Sequence, residues 1–221
     1  MRKSDRDRSR AGLIDPGSPS AEPFRMLRLA LELRKEALSG NVVLFTSAEP
    51  GVGKSTLAAN YALVSSLTQR TTVLLDCDTK RPTQHQFFGI ARTPGIVELL
   101  VSNSNVRHFG HRAATFGHLL VVPAGRALPP GAELASSQRM ADLVRQASSD
   151  YGLVVIDSPP LLATSDASAL TSIEGVDVIL VTTPSSQRRH LTKALRKLEL
   201  IGANVAGVVV NREGRLSSYG Y

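Results

Sequence analysis

Six short runs of apolar, mostly β-branched residues recur along this 221-residue chain, at positions 42–46, 72–75, 119–122, 153–156, 176–181 and 205–210. Within the runs successive residues are apolar rather than alternating, and turn-forming or polar residues bound them. A strand that presents apolar side chains on both faces must be covered on both. Helical periodicity lies between several of the runs, at 55–67, 141–148 and 187–200. The alternation predicts an α/β fold, a doubly wound and mostly parallel sheet with helices on both faces. Functional groups should gather at the carboxyl ends of its strands. The length suits one such domain. An apolar share of 42% with 20% charged residues is enough to bury a core. Aromatics make up 5% and Trp is absent, so Val, Leu, Ile and Ala must build it.

Residues 1–19 are charged, then rich in Gly, Pro and Ser, and read as a flexible basic arm. The domain itself is expected over 20–212, and 213–221 reads as a flexible tail carrying Tyr219 and Tyr221. A helix is expected over 21–38, with Phe24, Leu27, Leu31 and Leu38 near helical spacing. Ser20 is its candidate cap, and Pro23 falls in the first turn, where a missing N–H costs little. Segment 81–117 reads as irregular and polar apart from an apolar piece at 96–101. Cys77, the single cysteine, excludes an internal disulfide and a cysteine-cluster metal site, and fits a reducing cytoplasm. No apolar run reaches the ~18 residues that span a bilayer. The charged start is not followed by the apolar stretch of a secretory signal.

The formal net charge is +7. Such a balance suggests a nucleic-acid or anionic-membrane partner. The charge is uneven, however. Residues 1–10 hold five Arg/Lys and two Asp, and residues 188–215 hold seven Arg/Lys and two Glu. These segments together exceed the total, so the remainder is slightly acidic and nucleic acid is not the expected partner. Residues 1–10 are a candidate membrane contact, with a solvated arm as the plainer reading.

Between the first strand and the helix after it stands Ser47-Ala48-Glu49-Pro50-Gly51-Val52-Gly53-Lys54-Ser55-Thr56. Gly51 and Gly53 let the backbone curl so that N–H groups, Val52 among them, point inward, and the helix amino end adds its dipole. Lys54 would reach the β- and γ-phosphates of a nucleotide, Ser55 would give its hydroxyl to Mg²⁺, and Thr56 would touch the α-phosphate. The usual pattern has Gly where this chain has Ala48.

Two more strands run into carboxylates, at Asp76-Cys77-Asp78 and at Asp157. An acid just past a buried strand lands at the same sheet edge as the phosphate loop. Mg²⁺ takes hard oxygen ligands and keeps several waters, so few carboxylates suffice. Asp157 is the expected Walker B acid. Of Asp76 and Asp78, one would help to hold Mg²⁺, with Asp78 the metal candidate beside Ser55 and Asp157. The other would accept a proton from an incoming hydroxyl. Cys77 between them reads as a small buried apolar side chain.

These motifs together resemble the bacterial tyrosine kinases of capsular and exopolysaccharide synthesis, in their stand-alone cytoplasmic form. The resemblance runs from about Glu22 to Tyr221. It rests on Glu22, Arg25 and Arg28 in a Glu-x-x-Arg-x-x-Arg helix, and on the Walker A loop with its Pro50-Gly51 step. It rests further on Asp76, Asp78, Lys80, Arg81 and Pro82 with His85 and Phe88, on a Pro-containing loop at 128–134, on Walker B at 151–160, and on the final strand and tail. The resemblance implies a ring in which the tail of one subunit enters its neighbour's active site. Asp76 or Asp78 would activate Tyr219 or Tyr221 for attack on Mg-ATP, and Glu22, Arg25 and Arg28 would form the subunit contact. It also implies a transmembrane co-polymerase or adaptor on another chain, and recruitment to the inner face of the plasma membrane. Asn211 is carried over as a reader of the adenine edge. Lys80 stands where the family commonly has Arg, and the tail has fewer tyrosines than usual. Two rivals share the fold. One is a ParA- or MinD-like ATPase acting on DNA or a membrane, although Glu49 stands where those proteins carry a signature Lys. The other is a nucleotide-gated module of the export complex without kinase activity.

Overall fold

The computed structural model describes residues 12–34, 38–102, 104–113, 118–129 and 137–212. The charged residues 1–10, most of the Pro-containing loop, and the tail with Tyr219 and Tyr221 lie outside the described residues. Strands β1 (Val42–Ser47), β2 (Thr72–Asp76), β3 (His111–Arg112), β4 (Leu119–Val122), β5 (Leu153–Asp157), β6 (Val176–Thr182) and β7 (Asn204–Val210) form one sheet in the order β3-β4-β2-β5-β1-β6-β7. All pairings are parallel except β3 with β4. The six expected strands are present, and β3 adds a short antiparallel edge.

Every residue of β1, β2, β5 and β6 is buried. Alternate side chains go to opposite faces, as the two-residue period of a strand requires. Val42, Leu44, Val73, Leu75, Val154, Ile156 and Val178 belong to one core cluster. Val43, Phe45, Leu74, Val121, Val155 and Ile179 belong to the other. The eight helices among the described residues are α1 (Glu22–Leu33), α2 (Lys54–Ser66), α3 (Gln84–Phe88), α4 (Ile96–Ser102), α5 (Val106–Phe109), α6 (Gln138–Asp150), α7 (Ser165–Thr171) and α8 (Arg188–Ile201). Residues of α4 to α8 cover the first face. Those of α1 and α2 cover the second, joined by Phe87 and Phe88 of α3. Helix α2 is buried nearly all round, and its small Ala58, Ala59 and Ala62 let it lie close on the sheet.

Four expectations are corrected. The first helix spans Glu22–Leu33 and not 21–38, and its cap is not Ser20. A single 3₁₀ turn, Pro19–Ala21, precedes it, and the Ser20 hydroxyl pairs with that of Ser18 instead. The arm does not extend through residue 19. The Asn60 side chain accepts from the Ile14 N–H at 2.9 Å and donates to the Gly12 carbonyl at 2.9 Å, and Leu13 and Ile14 join the core. Segment 81–117 is not irregular throughout. It contains α3, α4, α5 and β3, each too short to show a period, and α4 buries Ile96, Val97, Leu99 and Leu100. Finally, β2 and β5 each run one residue further than expected, so Asp76 and Asp157 are the last strand residues and not the first loop residues.

Phe45 is fully buried under α2, its ring 5.3 Å from that of Tyr61. Phe45→Ala should cost about 3–5 kcal/mol. Urea unfolding should show this as a lower midpoint at unchanged m-value.

Candidate active site

The phosphate loop starts where β1 ends. The Ser47 hydroxyl donates to the Glu49 carbonyl at 2.7 Å. Gly51 and Gly53 then take φ of 80° and 89°, a region where a Cβ clashes and glycine is free. Gly53 caps α2, so unpaired N–H groups of the first helical turn open towards the loop, as an anion site requires. A Cβ at Gly53 would strike the Asn211 amide. That amide donates to the Val52 carbonyl at 2.8 Å, and Asn211 Oδ1 accepts from the Arg212 N–H. Asn211 thus braces the loop from the end of β7. On the other flank the Glu49 carboxylate pairs with the His190 ring in the first turn of α8.

Lys54 Nζ lies 2.6 Å from Asp157 Oδ1, 3.0 Å from Ser55 Oγ and 3.7 Å from Asp78 Oδ2. The Ser55 hydroxyl donates to the same Asp157 oxygen at 3.1 Å. Burial alone would push the Lys54 ammonium down. Asp157, then Asp78 and Asp76, outweigh it and hold its pKa above the ordinary lysine value. A cation is therefore already seated between the Ser55 and Asp157 oxygens. The Ser55 hydroxyl and the Asp157 carboxylate are hard oxygen donors that would also suit Mg²⁺.

Register places Asp76 and Asp157 directly opposite each other on β2 and β5. Asp76 accepts from the N–H groups of Asp78 (3.3 Å), Thr83 (3.2 Å) and Gln84 (3.1 Å). Even so, burial, and then the charge of Asp157, push its carboxyl well above the ordinary range. Asp78 accepts from the Arg81 N–H at 3.0 Å. It differs from Asp76 in reaching the open side. A cavity of about 370 Å³ is lined by Gly51, Gly53, Lys54, Ser55, Thr56 and Asp78, while Asp76 lies fully buried outside that lining. Lys80, Arg81 and Phe87 form more of its wall.

Gln84 was not anticipated from the sequence. It is fully buried, and its Nε2 donates to Asp157 Oδ2 at 2.7 Å and to the Ser55 carbonyl at 3.0 Å. Its own N–H goes to Asp76, so one residue ties together all three strand-end motifs. A glutamine in a polar loop carries no sequence signal for that role. Glu22, Arg25 and Arg28 are not part of the site. On α1, Arg25 pairs with Glu22 at 2.8 Å and Arg28 with Glu32 at 3.0 Å.

Asp76 has a raised pKa in the fold, so its contribution to stability is complete below its unfolded value near 3.8 and is lost as pH rises through its folded pKa. Asp76→Asn should remove that loss. Urea unfolding at about pH 5 and about pH 8 should show a smaller fall in the variant than in the wild type. Equal falls would refute the assignment.

Comparison with known proteins identifies the family and the fold. The family model described as "ParA: NUBPL iron-transfer P-loop NTPase" matches residues 39–218. Tyrosine-protein kinase YwqD of Bacillus subtilis is 31% identical, over 100% of this chain and 93% of its own length. Tyrosine-protein kinase wzc of Salmonella typhimurium is 29% identical over 95% of this chain, which spans only 30% of that longer protein. Among solved structures, the kinase domain of Escherichia coli tyrosine kinase ETK superposes with a TM-score of 0.84 at 26% identity, covering 94% of this chain and 81% of that one. The chimerical protein CapA2B2 gives 0.82 at 30% identity, covering 91% and 88%. The MinD cell division protein of Aquifex aeolicus, at 20% identity and a TM-score of 0.64, shares the fold. The chain belongs to the ParA-like P-loop NTPases and, within them, to the bacterial tyrosine kinases.

Proposed function

We propose that the chain is an ATP-dependent protein-tyrosine autokinase that transfers the γ-phosphate to Tyr219 and Tyr221 in the tail of a neighbouring subunit. In this reading it regulates the synthesis and export of a capsular polysaccharide or exopolysaccharide. The observation that carries it is the second acidic strand end. Beyond the loop and Asp157, the site holds Asp78, which faces the cavity 3.7 Å from Lys54, over a buried Asp76, where an incoming tyrosine hydroxyl would meet it. That is where a base for an incoming hydroxyl belongs.

The tyrosine Oη attacks the γ-phosphorus, a new O–P bond forms, the bond to the β,γ-bridging oxygen breaks, and ADP leaves. The phenolic proton passes to a carboxylate, and Asp78 is the better placed of the two. Lys54 and the loop N–H groups hold the phosphates, with Gly51, Val52, Gly53, Ser55 and Thr56 shaping the cradle. Mg²⁺ held by Ser55 and Asp157 would neutralise charge on the phosphate oxygens. Asn211 acts here by fixing the loop beside the nucleotide.

Self-association into a ring is part of the proposal, through the face of α1 bearing Glu22, Arg25 and Arg28. That face also exposes Met26, Leu29 and Leu33. Arg25 and Arg28 would exchange their partners within the helix for partners across the contact. Among the described residues no helix is long and apolar enough to cross a membrane. A transmembrane co-polymerase or adaptor on a separate chain is the proposed partner, recruiting the kinase to the inner face of the plasma membrane from the cytoplasm.

Incubation with Mg-ATP and the adaptor's cytoplasmic segment, followed by intact-mass and phosphopeptide analysis, should find phosphate on Tyr219 or Tyr221. Lys54→Met should abolish it. Phosphate persisting on a Tyr219→Phe/Tyr221→Phe double variant would overturn the tail assignment, and ATP hydrolysis without phosphotyrosine would favour the gating module. Gln84→Leu should weaken Mg²⁺-dependent binding of a fluorescent ADP analogue by about tenfold or more, since Asp157 loses a charge-assisted bond worth about 1.5–3 kcal/mol. Binding measured in EDTA should change much less.

A further inference from the structure

The sheet has a second recess, at its opposite edge. A cavity of about 360 Å³ lies where β2, β4 and β5 begin, lined by Thr71, Arg107, Arg112, His118, Leu119, Leu120, Asp150 and Tyr151. Its size falls within the roughly 300–1,000 Å³ of small-molecule sites. Thr71 and Asp76 stand at opposite ends of β2, so at about 3.3 Å per residue this cavity is some 15 Å or more from the phosphate loop. The two linings share no residue.

Its chemistry is sorted by position. Arg107 comes from α5, Arg112 from β3, and His118 from the turn before β4, so three separate elements deliver basic side chains to one recess. Leu119, Leu120 and the Tyr151 ring give it an apolar wall. Burial pushes the Tyr151 phenol up, and the charges of Arg107 and Arg112 beside it pull it back. Among the described residues of the lining the one carboxylate is Asp150, which already accepts from the Asn105 amide at 3.4 Å. The Thr71 hydroxyl oxygen accepts from the Gly152 N–H at 2.9 Å, which leaves its proton free to donate. The recess thus offers two guanidiniums, an imidazole and two hydroxyls against one acid. Guanidiniums suit phosphate oxygens through paired N–H donors. The apolar wall suits a flat organic group attached to such an anion.

We infer that this recess binds a phosphomonoester carried on an aromatic group, with Arg107 and Arg112 clamping the phosphate and Tyr151, Leu119 and Leu120 against the ring. The chemistry is that of a phosphotyrosine side chain, and free phosphate would share the anionic half of it. The site is separate from the phosphate loop, and its occupancy does not require that the chain itself make the phosphotyrosine.

The test uses the full chain with its phosphate loop saturated with Mg-ADP, so that added anions meet only the second recess. Calorimetric titrations with O-phosphotyrosine, a tyrosine-phosphorylated tail peptide, inorganic phosphate and unmodified tyrosine are compared. O-phosphotyrosine and the phosphopeptide should bind at one per chain. Arg107→Gln/Arg112→Gln should weaken this by at least about tenfold while leaving Mg-ADP affinity unchanged. Both arginines are exposed, so the variant should fold, and its unchanged ADP affinity checks that it has. Phosphate binding several-fold more weakly than phosphotyrosine assigns the apolar wall to the ring. Equal binding keeps the arginine clamp and names free phosphate as the ligand. If no phosphorylated probe binds, or if the double variant binds as the wild type does, the inference is wrong.

Discussion

The Lys54 ammonium inside a cluster of buried carboxylates is the interaction on which the rest of the site depends. Asp76 and Asp157 are fully buried, Asp78 nearly so, and one lysine faces all three. Charges removed from water must be paired or become neutral. Asp157 is paired, with Lys54 and Ser55 on one oxygen and Gln84 on the other. Asp76 accepts from backbone N–H groups, and burial, then the charge of Asp157, outweigh these and the Lys54 charge and drive its carboxyl towards the protonated form. The cluster holds more carboxylates than cations, and in the proposed function a divalent ion brought by a nucleotide would offset that excess.

The sheet makes such a cluster possible. Residues 54, 84, 157 and 211 are distant in sequence, and only parallel strands ending at a common edge bring them together. The pairing of Phe45 with Asp157, and of Asp157 with Asp76, sets three carboxyl-terminal strand ends side by side. Two hydrophobic layers hold that register, because a one-residue slip of β2 would turn Leu74 and Leu75 to the wrong faces. Core packing and the geometry of the candidate site are therefore set by the same residues. Phe45 supports the loop as much as it supports the domain.

Reading the chain by its apolar runs located the parallel strands, because a strand buried on both faces is a continuous apolar word. The loop was legible for a similar reason, since glycines, Lys54 and Ser55 are needed in a fixed order. Helices α3, α4, α5 and α7 were not legible. A helix of four to seven residues completes barely two turns and shows no period. Gln84 was invisible because its role comes from the turn after Asp78, which brings residue 84 back under residue 157. The pinning of Gly12 and Ile14 depends likewise on Asn60, an asparagine on α2 with no local hint of a distant partner.

The surplus of positive charge finds a more specific meaning in three dimensions. At the carboxyl edge of the sheet the protein gathers acids around one lysine, which favours a cation together with a polyanion. At the amino edge it gathers arginines around one acid, which favours an anion alone. A parallel sheet makes both possible, because all its strands but one expose like ends on each side. A net charge summed over the chain averages these two edges and describes neither. The two edges differ in the sign of their excess: carboxylates outnumber the lysine among them in front, and guanidiniums outnumber the carboxylate behind.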